Sequence, residues 1–417
     1  MQKGSMISVE QAQAIALECA RRLDEEQVDL ADCFGRVLSR DVVADMDVAP
    51  FDNTAMDGFA VVSSDLAGAS EREPVTLRVL AEEGAGSSYS GTVVPGTTVR
   101  IMTGAPIPAG ADAVVKFEQV EGGESAGQDA VFSTPVKPGA NIRRAGEEFR
   151  RGDVVLRSCE RVNAYAMGML ASAGAVRVSV FRRPRVGVFS IGSELVSPAQ
   201  TPAAGKIRNS NTACLAGLAT DALCEPRVYP IVPDDRGAIA SQLRRALDEC
   251  DAVVTAGGAS KGDFDYINGV IAELGEVKFD YISLRPGKRQ TLGVVDGKPV
   301  WGLSGNPAAA AVGFELLVRP VLRAMQGMAP LPRPVVRARL ATDVKKKETR
   351  RYYERGLVER AQDGSWVATE FRGQSSALLG ALQRCNCLII LPDDSLGMKA
   401  GDEVDCMRID IPEGTQA

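Results

Sequence analysis

The sequence predicts a multidomain protein built from a doubly wound α/β domain flanked by β-rich regions. Three observations predict it. At 417 residues the chain has the length for about three domains of ordinary size. Between residues 186 and 325 short apolar runs alternate with longer helical stretches, as in strand–loop–helix units around a parallel sheet. On either side, alternating runs are broken by many of the chain's 42 glycines and 22 prolines, the texture of short strands and turns.

In chain order, residues 8–23 read as an amphipathic helix, with Ser8 as N-cap and Ile15, Leu17 and Leu23 among good helix formers. A strand-like segment at 41–50 stops at Pro50. From Phe51 to Lys137, closely spaced turn signals and runs such as 75–80 predict a small all-β module. Asn163 caps a second helix reaching Ala171, and 176–180 reads as a short strand. The texture changes at Arg182-Arg-Pro-Arg185. Strands are expected at 186–190, 252–255 and 299–303, and helices at 211–221, 236–250 and 308–325. Asp234 and Asp235 precede the second of these helices, a place where carboxylates cap. Met328 to Pro334 is a proline-rich linker; strands near 337–340, 351–358, 387–391 and 403–409 make the last region all-β.

Composition removes whole classes of function. Lys and Arg number 48 against 54 Asp and Glu, and the net charge of −6 argues against a nucleic-acid partner, which needs a basic face. Histidine is absent, which excludes Ser-His-Asp hydrolysis, Cys-His proteolysis and His-ligated zinc. The 9 cysteines are scattered and never spaced as CxxC, so they read as small core residues in a reducing cytoplasm; Cys385 and Cys387 border an apolar strand. No apolar run reaches the roughly 18 residues of a membrane span, so no membrane partner is expected.

In a doubly wound sheet, ligands bind beyond the carboxyl ends of the strands. The loop after the first strand carries Glu194. The loop after the second contains Gly257 and Gly258, which let backbone N–H groups approach an anion, then Asp263 and Asp265, oxygen ligands suited to a hard cation. The third strand runs through Ser304 and Asn306 into a helix, and a turn nearby in sequence holds Arg285, Lys288 and Arg289. Together these fit a phosphorylated ligand with Mg²⁺. Each loop alone also reads as turn or capping chemistry. It is their convergence on one sheet edge that points to a ligand. In the β module, the stretches 50–60, 100–115 and 141–148 are polar and aperiodic, and turn chemistry weighs equally with function there. There is no P-loop and no GxGxxG.

The motifs form a recognisable set. Phe51-Asp-Asn-Thr-Ala-Met-Asp-Gly-Phe-Ala60, Met102-Thr-Gly-Ala-Pro-Ile-Pro-Ala-Gly-Ala-Asp-Ala-Val-Val115 and Asn141-Ile-Arg-Arg-Ala-Gly-Glu-Glu148 lie in the first half. Gly192-Ser-Glu-Leu195, Gly257-Gly-Ala-Ser-Lys-Gly-Asp-Phe-Asp265, Arg285-Pro-Gly-Lys288 and Gly302-Leu-Ser-Gly-Asn-Pro307 follow. In this order, over nearly the whole chain, they resemble the molybdopterin molybdenumtransferase family, which is similar to the E domain of gephyrin. The resemblance implies four parts: an elongated N-terminal domain (1–50 and 138–182), an inserted β-rich module (51–137), a molybdopterin-binding α/β domain (183–328) and a C-terminal β-barrel (329–417).

It also implies an activity, the insertion of molybdate into adenylylated molybdopterin with Mg²⁺-dependent release of AMP. By position in the motifs, the catalytic residues would be Asp57, Thr103, Glu194, Asp234 and Asp265. Substrate contacts fall on Arg143, Glu148, Gly257, Gly258, Ser260, Asp263, Arg285, Lys288, Ser304, Asn306 and Ser375, and Mg²⁺ ligands on Glu194, Asp263 and Asp265. The family further implies a cytoplasmic homodimer with a shared active site, and molybdopterin adenylyltransferase and molybdoenzyme chaperones as candidate partners. This chain departs from the family pattern in having Arg285 and Arg289 within the Lys-Pro-Gly-Lys-Pro motif, Tyr281 for an upstream lysine and Ser304 for a proline. Arg for Lys keeps the charge but changes donor geometry, and losing the upstream lysine removes an oxyanion contact. Two other readings are a molybdopterin adenylyltransferase, which would not need the Phe51–Glu148 motifs, and a non-catalytic scaffold, which would not need the acids.

Overall fold

The computed structural model describes residues 6–258, 266–329 and 331–415. Ser8 starts the first helix, Val9–Glu18, through a capping box: its hydroxyl accepts from the Gln11 N–H at 3.1 Å, and the Gln11 side-chain oxygen accepts from the Ser8 N–H at 2.9 Å. The helix ends at Glu18 rather than near Leu23. The Leu23 N–H is taken by the Met325 carbonyl at 2.9 Å, so the chain has left the helical path. Asn163 caps helix Ala164–Ser172 as expected, accepting from the Ala166 N–H. The strand expected at 41–50 shrinks to Val42–Val43, paired with Val154–Leu156; pairing stops before the exposed Asp45 and Met46. Strand Glu25–Asp29 pairs with Arg177–Phe181, joining segments on either side of the β module.

The module is a six-stranded sheet in the order Ala113–Lys116, Gly58–Val61, Thr97–Ile101, Val75–Glu83, Asp129–Phe132, Val120–Gly122. It has its own core around Phe59, Leu77, Val79 and Phe132.

The α/β sheet has the order Glu225–Val228, Arg185–Ser190, Ala252–Ala256, Lys298–Leu303, Thr291–Val295, Glu276–Phe279. Its first four strands are parallel. The three strands expected from the sequence are among these, while Thr291–Val295, which the sequence did not single out, runs antiparallel to both neighbours. The cause is local: Asp296 and Gly297 have φ of 50° and 76°, the left-handed pair that turns a two-residue hairpin. Helices cover both faces. Asn211–Asp221 and the helical segment from Pro307 bury Leu215, Val312 and Leu316 on one side, with Val186 and Val254. Arg236–Glu249 and Tyr266–Leu274 bury Ile239, Leu243 and Ile271 on the other, with Phe189 and Val253. The helix expected at 308–325 is continuous but widens to a π turn at Phe314–Val318, just before Pro320, which has no N–H to give an α-type bond. Val9, Ala12 and Ala16 of the first helix join this core.

The last region closes into a five-stranded barrel, because Arg351–Arg360 pairs with Trp366–Glu370 on one side and Cys387–Leu391 on the other. One further strand is borrowed from the α/β domain: Leu284–Arg285 lies parallel to Arg351–Tyr352. All nine cysteines are free, and Cys33, Cys224, Cys250, Cys387 and Cys406 are buried, in keeping with a core role. Among the described residues no helix is long and apolar enough to cross a membrane.

On the barrel strand, Glu354 is 5% exposed and its nearest cation, Arg355, is 3.8 Å away. Burial pushes its carboxyl up to about 7, more than the Arg355 charge lowers it, and burial pushes Arg355 down. The raised acid holds its proton in the folded state. Its contribution to stability is therefore complete below about pH 4.5 and is lost as pH rises through about 7, by roughly 3 kcal/mol at most. Glu354→Gln is expected to raise the urea midpoint at pH 8 and not at pH 5. An equal shift at both would show that the carboxylate is not the source.

Candidate functional site

At the carboxyl edge of the sheet, the first loop is pinned to its neighbours by backbone bonds: the Ile191 N–H donates to Ala256 O at 2.9 Å and the Gly192 N–H to Val232 O at 3.0 Å. Beneath it, Ser190 shares a buried hydrogen-bond cluster with Asn209 and Thr212. The loop's Ser193 and Asp234 exchange bonds: the Ser193 N–H donates to Asp234 Oδ2 at 2.7 Å, and the Asp234 N–H to Ser193 Oγ at 3.1 Å. Glu194 and Asp234 are thereby held on two loops tied to each other. Asp235, not Asp234, caps the following helix through the Ala238 N–H. Lys206, which the sequence did not flag, donates to the Ser193 carbonyl at 2.6 Å.

Gly257 and Gly258 both have positive φ, 90° and 69°. A Cβ on Gly257 would sit 2.1 Å from the Ile191 carbonyl oxygen, so only glycine lets the two loops approach. The continuation of this loop, with Ser260, Asp263 and Asp265, lies outside the described residues.

A cavity of about 650 Å³ opens where three segments meet: the 285–289 turn, the 304–309 segment and barrel residues 350 and 374–376. Arg285, Lys288, Ser304, Asn306 and Ser375 all line it, so five residues expected from separate motifs share one wall. Arg289 of the same turn lines it too, and the structure adds Arg350 and Gln374. The barrel loop is fastened to the α/β domain by the Ala308 N–H, which donates to Ser376 O at 2.9 Å, and to its own strand by Arg355 Nη2, which donates to Ser375 O at 3.1 Å. Tyr281 sits behind the wall, its ring centroid 5.8 Å from Lys288 Nζ and 5.5 Å from Arg289 Cζ. A larger cavity of about 860 Å³ lies between helix Asn211–Asp221, helix Pro307–Gly313 and barrel helix Gly380–Arg384. None of the expected site residues lines it. Of its two cations, Arg208 and Arg333, the second is already bonded to Glu315, whereas the smaller cavity gathers Arg285, Lys288, Arg289 and Arg350 for an anion.

In the β module, the exposed Asp57 accepts from both the N–H and the hydroxyl of Thr103 at 2.7 Å, and these two bonds hold its carboxyl below the ordinary range. Arg143 pairs across strands with Asn53, and the Glu148 N–H donates to Val48 O. Both are exposed. The structure thus forms one cluster at Asp57 and Thr103, another at the sheet-edge loops, and the cavity wall that follows the neighbouring strand, whose Leu303 O accepts from the Gly257 N–H. Among the described residues, no hydrogen bond or cavity lining joins the first to the others.

An α/β edge with two acids on tied loops, and a cation-lined cavity at the end of a neighbouring strand, suits one class of protein, an enzyme that works on an anionic substrate. Comparisons with known proteins narrow the class. Family models match the MoeA N-terminal region (domain I and II) over residues 7–174, a "Probable molybdopterin binding domain" over 187–324 and the MoeA C-terminal region (domain IV) over 337–409. Molybdopterin molybdenumtransferase of Staphylococcus aureus (strain COL) is 37% identical over 379 residues, 91% of this chain and 90% of the relative. Its counterpart in Staphylococcus epidermidis is 34% identical over 406 residues, 97% of this chain and 96% of the relative. The solved structure of the molybdopterin biosynthesis moeA protein from Pyrococcus horikoshii superposes with a TM-score of 0.83 at 29% identity, covering 97% of this chain and 99% of that one. The chain belongs to the molybdopterin molybdenumtransferase family and is an enzyme of molybdenum cofactor biosynthesis.

Proposed function

We propose that this chain performs the molybdenum-insertion step as follows: it takes adenylylated molybdopterin and molybdate with Mg²⁺, and the phosphoanhydride is cleaved to leave molybdenum cofactor and AMP. The observation that carries this reading is the cavity where Arg285, Lys288, Arg289 and Arg350 face Ser304, Asn306 and Ser375. Cations and hydroxyls at one wall hold an oxyanion and a pterin phosphate. Mg²⁺ takes one or two carboxylates and otherwise binds through substrate phosphates and water, and Glu194 with Asp234 on their tied loops fits that demand. The ion would neutralise charge on the pyrophosphate. Glu194 and Asp234 would orient that group, the cavity's cations would hold the incoming oxyanion, and Asp57 with Thr103 would close the site. Asp263 and Asp265 complete the acid set in this proposal.

We read the active site as shared by two copies in a homodimer, because Asp57 and Thr103 belong to a module with a core separate from that of the α/β domain. The cytoplasm is the expected setting. An adenylyltransferase reading has less support, since the relatives' similarity extends across the β module and the barrel. The test is direct. Purified protein given adenylylated molybdopterin, Mg²⁺ and molybdate should release AMP; if it releases none, yet adenylylates molybdopterin with ATP, the proposal is wrong.

Tyr281 sharpens the reading. Tyr281→Lys adds a charge beside Lys288 and Arg289 and is expected to lower the half-saturating molybdate concentration by about 3-fold, a modest gain at a solvated site. Superimposable titrations of variant and parent would show that the tyrosine is silent.

A further inference from the structure

We infer that Tyr352, a barrel residue behind the cavity wall, is a positioning residue that fixes the plane of the Arg285 guanidinium and so sets how tightly the cavity grips its oxyanion. The inference rests on the oxyanion reading of the cavity given above.

Three contacts converge on this pair. Arg285 Nη1 donates to the Tyr352 hydroxyl at 2.8 Å. The guanidinium carbon lies 4.7 Å from the Tyr352 ring centroid, within reach of a cation–π attraction. Arg285 is also the strand partner of Tyr352 in the borrowed Leu284–Arg285 strand, so the two backbones are in register. That strand is clamped from the barrel side as well: Arg350 Nη1 donates to Leu284 O at 2.6 Å, and the Arg351 N–H to Ser283 O at 3.2 Å.

Tyr352 is itself immobile. It is 1% exposed and packed among the barrel's core residues, its hydroxyl accepts a second bond from the Lys347 N–H at 3.2 Å, and Lys346 Nζ lies 5.1 Å from its ring centroid. A flexible arginine held at Nη1 and over the face of a fixed ring cannot swing. Its remaining N–H groups are left for the cavity it lines. A lysine at 285 would be a point donor with no plane to fix, so Tyr352 matters because residue 285 is Arg. The barrel thus acts on the oxyanion site through a residue that does not line it.

The test uses the full-length protein with two readouts: molybdate binding alone by calorimetric titration, and AMP release from adenylylated molybdopterin. Tyr352→Phe keeps the ring and removes the hydroxyl. It should raise the molybdate dissociation and half-saturation constants about 5-fold, the scale of one hydrogen bond to a charged group in a partly solvated site. Turnover at saturating molybdate and half-saturation by the pterin substrate should change by less than about 2-fold. In an Arg285→Lys background the same substitution should shift molybdate binding far less, which a general loosening of the barrel would not produce. Equal shifts in both backgrounds, or titrations that superimpose on the parent, overturn the inference and leave the reaction assignment standing. Weaker molybdate binding in Tyr352→Phe without AMP release by any form upholds the inference and removes the proposed reaction. A parent that binds no molybdate removes both.

Discussion

Asp57→Asn is expected to cut AMP release by roughly 10²–10³-fold while leaving the thermal midpoint unchanged, the scale of losing one preorganised charge at a reacting centre. Asn keeps an oxygen to accept from the N–H and hydroxyl of Thr103, so the local geometry survives and only the charge is removed. The residue is exposed and supports no core. Glu194→Gln, on the sheet-edge loop, is expected to cost activity on the same scale. Mixing the two separates one-chain from two-chain sites. If each site takes Asp57 from one copy and Glu194 from the other, a heterodimer of the two variants carries one intact site and one with both lesions, and activity returns. Verified heterodimers that stay inactive would place both residues in one chain's site.

Gly257→Ala should produce the largest loss of stability, at least about 3 kcal/mol, because it combines a positive-φ penalty with a backbone collision. The added Cβ would meet the Ile191 carbonyl oxygen at 2.1 Å, while the Gly257 N–H is already committed to Leu303 O at 3.1 Å. Neither loop can yield without breaking the sheet-edge bonds that position Glu194 and Asp234. Gly258→Ala is the graded control. Its Cβ would meet only the Ile191 side chain at 3.2 Å, so about 1 kcal/mol of conformational cost is expected. Urea unfolding followed by the fluorescence of the chain's 2 tryptophans compares them. Equal losses for the two variants would mean that φ, not contact, sets the cost.

Local chemistry was legible where it decides the outcome locally. Ser8 and Asn163 cap the helices the sequence assigned them, and Asn211–Asp221 is found where its period placed it. The hairpin at Asp296-Gly297 was missed although its dipeptide is a strong turn signal, because its first strand, Thr291–Val295, is a short apolar run with no periodicity to mark it as a strand. Glu225–Val228 and Glu276–Phe279 were missed for another reason. They are short and largely polar, and neighbouring strands rather than their own pattern make them strands. The site followed the same division. Cations on the Arg285–Arg289 turn and glycines after a strand could be read from residue type and spacing. Arg350, Gln374 and Tyr352 reach the cavity region only because the barrel closes and then borrows a strand from a domain far away in sequence. No local window holds that information.

The first helix has a consequence for how the chain comes to be made. Gln13 Nε2 donates to Leu316 O across 303 positions, Glu10 pairs with Arg351, and Val9, Ala12 and Ala16 bury themselves among residues of the α/β domain and barrel. A growing chain leaving the ribosome therefore exposes this apolar face long before its partners exist. The β module, with its own core, can settle early, whereas the first helix must wait until the α/β domain and the barrel strands have emerged. Folding of this core is then a closure rather than an addition. Glu413 reaches the buried Arg319 and Arg323 on the helical segment that also holds Leu316, so residues 400 positions apart are secured on one element.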